Sequence, residues 1–204
     1  MSKTIVFDMG NVIVSWNPSK IASMYSDDKL VQETLVHEIL QSKEWSLLDQ
    51  GTITLQEAKT IWKQRLSTSI HSILDDLLDS WHQYLFPIEA MIPLVKTLKE
   101  KQIPIYLLSN ASIQFKEYYQ HNEAFQYFDG FYVSAFHQMM KPDFMIYQDF
   151  LNQFHLQSQE CLFIDDVKEN IEGAKKTGMS GYVFDDDIIK LKQVITDFLE
   201  IDSI

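Results

Sequence analysis

The chain has one cysteine, Cys161, among 204 residues. A single thiol excludes an internal disulfide and any cysteine-built metal centre, and it fits a reducing compartment. Its place inside the apolar run ECLFID marks it as a buried, inert side chain rather than a nucleophile. Basic residues are also scarce: 17 Lys and Arg stand against 29 Asp and Glu, a net charge of -12. No Lys/Arg cluster offsets this locally, so no nucleic acid and no anionic membrane is expected as a partner. Long apolar runs are missing too. The N-terminal run TIVFDMGNVIV (4–14) is short, preceded only by Lys3 and interrupted by Asp8, so it reads as neither signal peptide nor membrane span, and a cytoplasmic protein is expected. With only 6 Gly and 5 Pro there is no linker, low-complexity tract or glycine-rich phosphate loop. The histidines (His37, His71, His82, His121, His137, His155) show no zinc-like spacing and read as surface or core residues.

What is present is the composition of a folded protein, 46% hydrophobic and 23% charged, long enough to bury a real core. The runs at 4–8, 103–110, 130–135, 161–166 and 181–185 are apolar, rich in β-branched and aromatic residues, and near-continuous rather than alternating. That is the pattern of strands covered on both faces, as in parallel sheets. Helical patterns at 88–101, 111–121, 143–154, 167–177 and 187–200 alternate with them, which predicts an α/β, doubly wound parallel-sheet core. Between 17 and 85 the chain shows helical periodicity around 18–26, 28–41, 54–66 and 70–84 and no strand. All four tryptophans (Trp16, Trp45, Trp62, Trp81) lie in or beside that stretch. The expected organisation is therefore a core of residues 1–15 and 88–204 with an inserted α-helical bundle, 16–87. Thr54 with Glu57 predicts a capping box at the head of one cap helix.

Ligands of open parallel sheets bind outside the carboxyl ends of the strands. The strand runs end at Asp8, Ser109-Asn110, Ser134, Asp165-Asp166 and Asp185, and Lys141 precedes a predicted helix. Any one of these residues also fits a plain turn or N-cap, Asn110 and Asp166 especially. Two adjacent acids closing one strand, however, require a cation or hydrogen-bond donors. Asp185-Asp186-Asp187 reads as a solvated turn.

The segments FDMGNV, LLSNA, KPD and FIDDVKENIEGA, in that order, resemble the four motifs of the haloacid dehalogenase-like hydrolase superfamily, most of whose members are Mg²⁺-dependent phosphatases. SWNPSKIASMY and KEWSLLDQGTITLQEA further resemble the subgroup of α-D-glucose-1-phosphate phosphatases and the phosphatase domain of soluble epoxide hydrolases. The resemblance covers essentially the whole chain. It implies Asp8 as a nucleophile forming an aspartyl-phosphate, Ser109 and Asn110 as phosphoryl binders, and Lys141 neutralising both nucleophile and phosphoryl group. It also implies Mg²⁺ held by Asp8, the Gly10 carbonyl and Asp166 with Asp165 beside it, and Asn170 orienting the metal's surroundings. Trp16 and Trp45 become possible substrate contacts from the cap. The implied partner is a small phosphorylated molecule, with the protein a monomer or a homodimer.

Gly10 departs from the family pattern. Most related phosphatases carry there a second aspartate that protonates the leaving alkoxide, an assistance worth about 10²–10⁴-fold in rate. Its loss favours a relatively acidic leaving oxygen, such as the anomeric oxygen of a sugar 1-phosphate, or a proton supplied by the cap or by water. Two other readings fit the same residues: a 2-haloacid dehalogenase using Asp8 without metal, and a non-catalytic binding protein on the same fold.

Overall fold

A computed structural model describes residues 3–204. Its centre is a five-stranded parallel sheet of β1 (Thr4–Phe7), β2 (Ile105–Ser109), β3 (Gly130–Val133), β4 (Cys161–Asp165) and β5 (Ser180–Val183), in the order β3-β2-β1-β4-β5. The first strand is central, with Ile5 opposite Ile105 on one side and Leu162 on the other. All five expected strands are present. Their sequences lack alternation because both faces are covered. Ile5, Phe7, Leu107 and Ile164 pack with Leu94, Val95 and Leu98 of helix Met91–Glu100 and with Leu191 and Ile195 of helix Ile188–Leu199. The intervening residues Val6, Leu108 and Phe163 pack with Ile146 and Phe150 of helix Phe144–Gln153 and with Ile171 and Ala174 of helix Lys168–Lys175.

The segment between β1 and the Met91–Glu100 helix is helical, as its periodicity predicts. In chain order the helices are α1 (Pro18–Ser23), α2 (Lys29–Leu35), α3 (Lys43–Gln50), α4 (Leu55–Arg65) and α5 (His71–Ser80). Asn17, Asp28 and Ser42 accept backbone hydrogen bonds as N-caps of the first three, and α4 opens with the Thr54–Glu57 capping box. Helix α2 runs on into a single π-helical turn, Val36–Leu40. The sequence pattern contains no separate helix for α3, which is short and carries only Trp45 and Leu48 as large buried apolar residues. Trp62, Leu74 and Leu77 are fully buried and belong to the same apolar cluster as Ile5 and Phe7, so the helical insert and one face of the sheet share one core.

The helices after the insert follow the same numbering: α6 (Met91–Glu100), α7 (Phe115–Tyr118), α8 (Phe144–Gln153), α9 (Lys168–Lys175) and α10 (Ile188–Leu199). The expected helix over 111–121 is reduced to α7 and a 3₁₀ turn, Tyr119–His121. Its first turn is lost because Ala111 exchanges hydrogen bonds with the Ser134 hydroxyl instead of starting a helix. No helix among the described residues is long and apolar enough to cross a membrane.

Candidate active site

A cavity of about 410 Å³ opens where β1, β2 and β4 end. Asp8, Gly10, Ser109, Asn110, Lys141, Asp166 and Asn170 line it, so the topology gathers at one mouth residues spread over more than 160 positions of sequence. At its base, Lys141 is 4% exposed and donates to Asp8 Oδ1 at 2.7 Å, Asp165 Oδ2 at 2.7 Å and the Leu108 carbonyl at 3.0 Å. Asn110 fixes the lysine's backbone: its Nδ2 donates to the Lys141 carbonyl at 3.0 Å, and its Oδ1 accepts from the Lys141 N–H at 2.9 Å. Asn110 is thus not a helix cap. Nor is Asp166: α9 has no side-chain cap, and Asp166 Oδ2 accepts instead from Asn11 Nδ2 at 3.0 Å.

Asp165 is fully buried and well supplied with donors. Its Oδ1 accepts from the Val167 N–H and Asn170 Nδ2, and its Oδ2 from Lys141 and Asn170 Nδ2 at 2.9 Å. Asn170 is held in turn through its carbonyl by the Tyr147 hydroxyl at 2.7 Å. This chain keeps the lysine aimed at Asp8.

The electrostatics show a deficit of positive charge. Carboxylate oxygens of Asp8, Asp165 and Asp166 lie within 4.8 Å of one another. At that separation two unit charges repel by about 3 kcal/mol at an effective dielectric of ~20. One lysine cannot neutralise three acids. Burial pushes the Asp8 carboxyl up from 3.8 to about 7, the Asp165 charge adds to the rise, and the Lys141 ammonium opposes it. Burial also raises Asp166, with the Asn11 amide opposing. For Lys141, burial disfavours the charged form, but the two carboxylates outweigh it and raise the pKa. Two hard carboxylates, a backbone carbonyl at Gly10 and an uncompensated charge suit an oxygen-preferring divalent cation such as Mg²⁺.

The opposite wall is aromatic. Trp16, Trp45 and Trp81 line the cavity and contact one another, with ring centroids 5.1–5.7 Å apart. Trp45 is 9% exposed, so it anchors the helical insert and faces the cavity at once. Ser134 and Asp185 stand apart from the cavity lining. The Ser134 hydroxyl bonds the Asp49 carbonyl and the Ala111 backbone, while Asp185 pairs with Lys190 and Tyr182 at the surface. Among the described residues the acidic group that could hold a metal contains no histidine. Cys161 is buried, and burial pushes its thiol up to about 12, which leaves it unreactive.

Several contributors escaped the sequence reading. Asn11 sits in a left-handed conformation (φ 53°) and ties Asp166 to the Trp16 N–H, which its Oδ1 accepts at 2.9 Å. Its position inside FDMGNV was visible, but its partners are remote in sequence. Asp49, Ser112, Trp81 and Tyr118 line the cavity as well, and nothing in their local sequence distinguishes them from ordinary helix and loop residues.

The profile of the haloacid dehalogenase-like hydrolase family matches residues 2–178. A sesquiterpene phosphatase of Aspergillus oryzae is 26% identical over 200 residues, covering 95% of this chain and 96% of its own. A drimenol cyclase of Aspergillus calidoustus is 22% identical over 90% of this chain, which spans 34% of that protein. Among solved structures, a family enzyme of Bacteroides thetaiotaomicron in complex with magnesium and inorganic phosphate superposes with a TM-score of 0.74 at 21% identity, covering 94% of this chain and 99% of its own. A dehalogenase shares the fold at a TM-score of 0.65 and 15% identity, covering 88% of this chain and 83% of its own. With the strand-end carboxylates, lysine and serine in place and the profile spanning most of the sequence, the chain belongs to the haloacid dehalogenase-like hydrolases.

Proposed function

We propose that the protein is a Mg²⁺-dependent phosphatase that hydrolyses a small phosphomonoester through an aspartyl-phosphate on Asp8. The observation that carries this reading is Lys141, buried at the base of the cavity and shared by Asp8 and Asp165 at 2.7 Å each. An anionic carboxylate can attack an anionic phosphate only if their repulsion is cancelled, and catalysis of phosphoryl transfer is mainly positioning and charge compensation. Lys141 opposes the burial that favours a protonated Asp8, holds that carboxyl in place, and would then share its charge with the arriving phosphoryl oxygens. Ser109, which lines the cavity at the end of β2, would bind those oxygens together with Asn110 beside it, whose side-chain amide is tied to the Lys141 backbone. Mg²⁺ bound by Asp8, the Gly10 carbonyl and Asp166 would neutralise the remaining charge. Asn170 and Asn11 hold Asp165 and Asp166 in place. The insert, residues 16–87, serves as a cap that excludes water and presents Trp16 and Trp45 to the leaving group. The phosphatase among the relatives and the magnesium and phosphate complexes among the structural neighbours support the same reaction class.

For the substrate, Gly10 favours a sugar 1-phosphate. A second reading, an isoprenoid monophosphate, is favoured by the tryptophan wall and by the terpenoid names of the two fungal relatives. Steady-state assays on glucose 1-phosphate, glucose 6-phosphate and farnesyl monophosphate, with Mg²⁺ and with EDTA, separate these. Loss of turnover in EDTA and a faster 1-phosphate are expected; equal or reversed sugar rates remove the leaving-group argument, and a dominant farnesyl rate selects the second reading. Metal-independent halide release from a 2-haloacid, with no phosphatase activity, would replace the proposal by dehalogenation.

A further inference from the structure

Gly10 leaves the phosphatase reading without a proton donor for the leaving oxygen, and on the basis of that reading we infer that Asp49, on the cap side of the same cavity, is the general acid and base. Asp49 lies in the last turn of α3 and lines the cavity together with Asp8, Ser109 and Lys141. It is placed by the core rather than by the cap alone. Its carbonyl accepts a hydrogen bond from the Ser134 hydroxyl at the end of β3. Two residues on, Gly51 closes α3 at φ 75°, so near the core that an added Cβ would lie 2.2 Å from the Ala135 carbonyl oxygen. Only glycine allows this approach, which brings the Asp49 end of α3 down onto the rim of the sheet.

The surroundings suit a proton carrier. Burial holds the Asp49 carboxyl well above the ordinary carboxylate range, with the nearby Ser112 backbone N–H pulling the other way. An independent feature points to a ligand at the same place: Tyr118 lines the cavity, its hydroxyl is buried with no hydrogen-bond partner, and the Asp49 charge acts on it. The remaining titratable groups of the cavity are Asp8, Lys141 and Asp166, while His82 stacks on the Tyr118 ring at 5.6 Å. A leaving oxygen between Asp49 and Tyr118 would satisfy both.

In the first half-reaction, an Asp8 oxygen bonds to phosphorus, the bond from phosphorus to the leaving oxygen breaks, and the Asp49 proton passes to that oxygen, releasing the alcohol. In the second, water attacks phosphorus, the Asp8–phosphorus bond breaks, and one water proton returns to Asp49 as inorganic phosphate forms. A cap-borne acid lowers the sensitivity to leaving-group acidity without abolishing it, so the sugar 1-phosphate stays the faster substrate in the wild type and its lead over the 6-phosphate widens when Asp49 is lost.

The test compares wild type, Asp49→Asn and Asp49→Glu by quenched flow with Mg²⁺ on p-nitrophenyl phosphate, whose phenol needs no proton, and benzyl phosphate, whose alcohol does. In Asp49→Asn the first p-nitrophenol per site should leave at close to the wild-type rate while phosphoenzyme accumulates on Asp8. Benzyl phosphate turnover should fall about 10²–10⁴-fold, with recovery in Asp49→Glu. An unchanged ratio between the two substrates, or equal loss on both in the first turnover, overturns the assignment. Should Asp49→Asn melt below wild type, Asp49→Ser supplies the same readout. Wild-type protein inactive on both esters overturns the phosphatase reading itself; an active, Asp8-dependent wild type with an unaltered Asp49→Asn overturns this inference alone.

Discussion

Replacing Lys141 by methionine removes the one ammonium between Asp8 and Asp165 while keeping most of its apolar stem. The lysine is 4% exposed and makes three hydrogen bonds, two of them to carboxylates at 2.7 Å. Deleting one partner of a buried ion pair leaves an uncompensated charge and costs about 3–5 kcal/mol. For a chain of this length each kcal/mol shifts the unfolding temperature by about 2–4 °C. Lys141→Met should therefore melt roughly 6–20 °C below wild type in EDTA. The sign of the pH effect follows from the acids left behind. Losing the cation raises the Asp8 pKa, already about 7, still further. A carboxyl whose folded-state pKa is raised loses stability as pH rises through that value, so the deficit should be larger at pH 8 than at pH 5. The assay is thermal unfolding of metal-free protein followed by circular dichroism at both pH values. Lys168→Met serves as control, because Lys168 and its partner Glu172 are 73% and 57% exposed and 3.6 Å apart, and no measurable change is expected. A Lys141→Met unfolding temperature within a degree of wild type, or a deficit larger at pH 5, would refute the reading of this cluster as acids held by one cation.

Gly51→Ala must shift the Ala135 backbone or the α3 terminus and strain a φ of 75°, so it should lower both the unfolding temperature and the turnover of alcohol phosphates, measured side by side. Asn11→Gly keeps the left-handed backbone but removes the amide held to Asp166 at 3.0 Å; Mg²⁺ affinity from titration calorimetry should weaken about 10–100-fold, and an unchanged affinity would separate Asp166 from the metal.

The strands were legible because a parallel sheet buried on both faces leaves uninterrupted apolar runs such as CLFID, and the polar residues closing the runs of β1, β2 and β4 mark the site's edge, whereas Ser134 and Asp185 do not. Asp8, Ser109, Asn110, Lys141, Asp166 and Asn170 were all identified from such edges and from motif order, and all line one cavity. What local pattern cannot carry is pairing between distant segments. The contact of Ser134 with Asp49 joins residues 85 positions apart, and the bond from Trp81 Nε1 to Gln114 at 3.2 Å spans 33. No periodicity reports either. Asp49 looked like part of a turn before a capped helix, and its chemical interest appears only once Gly51 is seen against Ala135. The truncated helix after β2 has the same origin, since Ala111 spends its backbone groups on Ser134.

The most direct test of the account is to find where the phosphoryl group goes. Protein mixed with Mg²⁺ and p-nitrophenyl phosphate, quenched in acid and reduced with borohydride, should yield a modified peptide carrying homoserine at position 8, absent from Asp8→Asn and from samples in which EDTA replaces Mg²⁺ before substrate is added. Sustained Mg²⁺-dependent turnover with Asp8 unmodified, or wild-type turnover by Asp8→Asn, would contradict it.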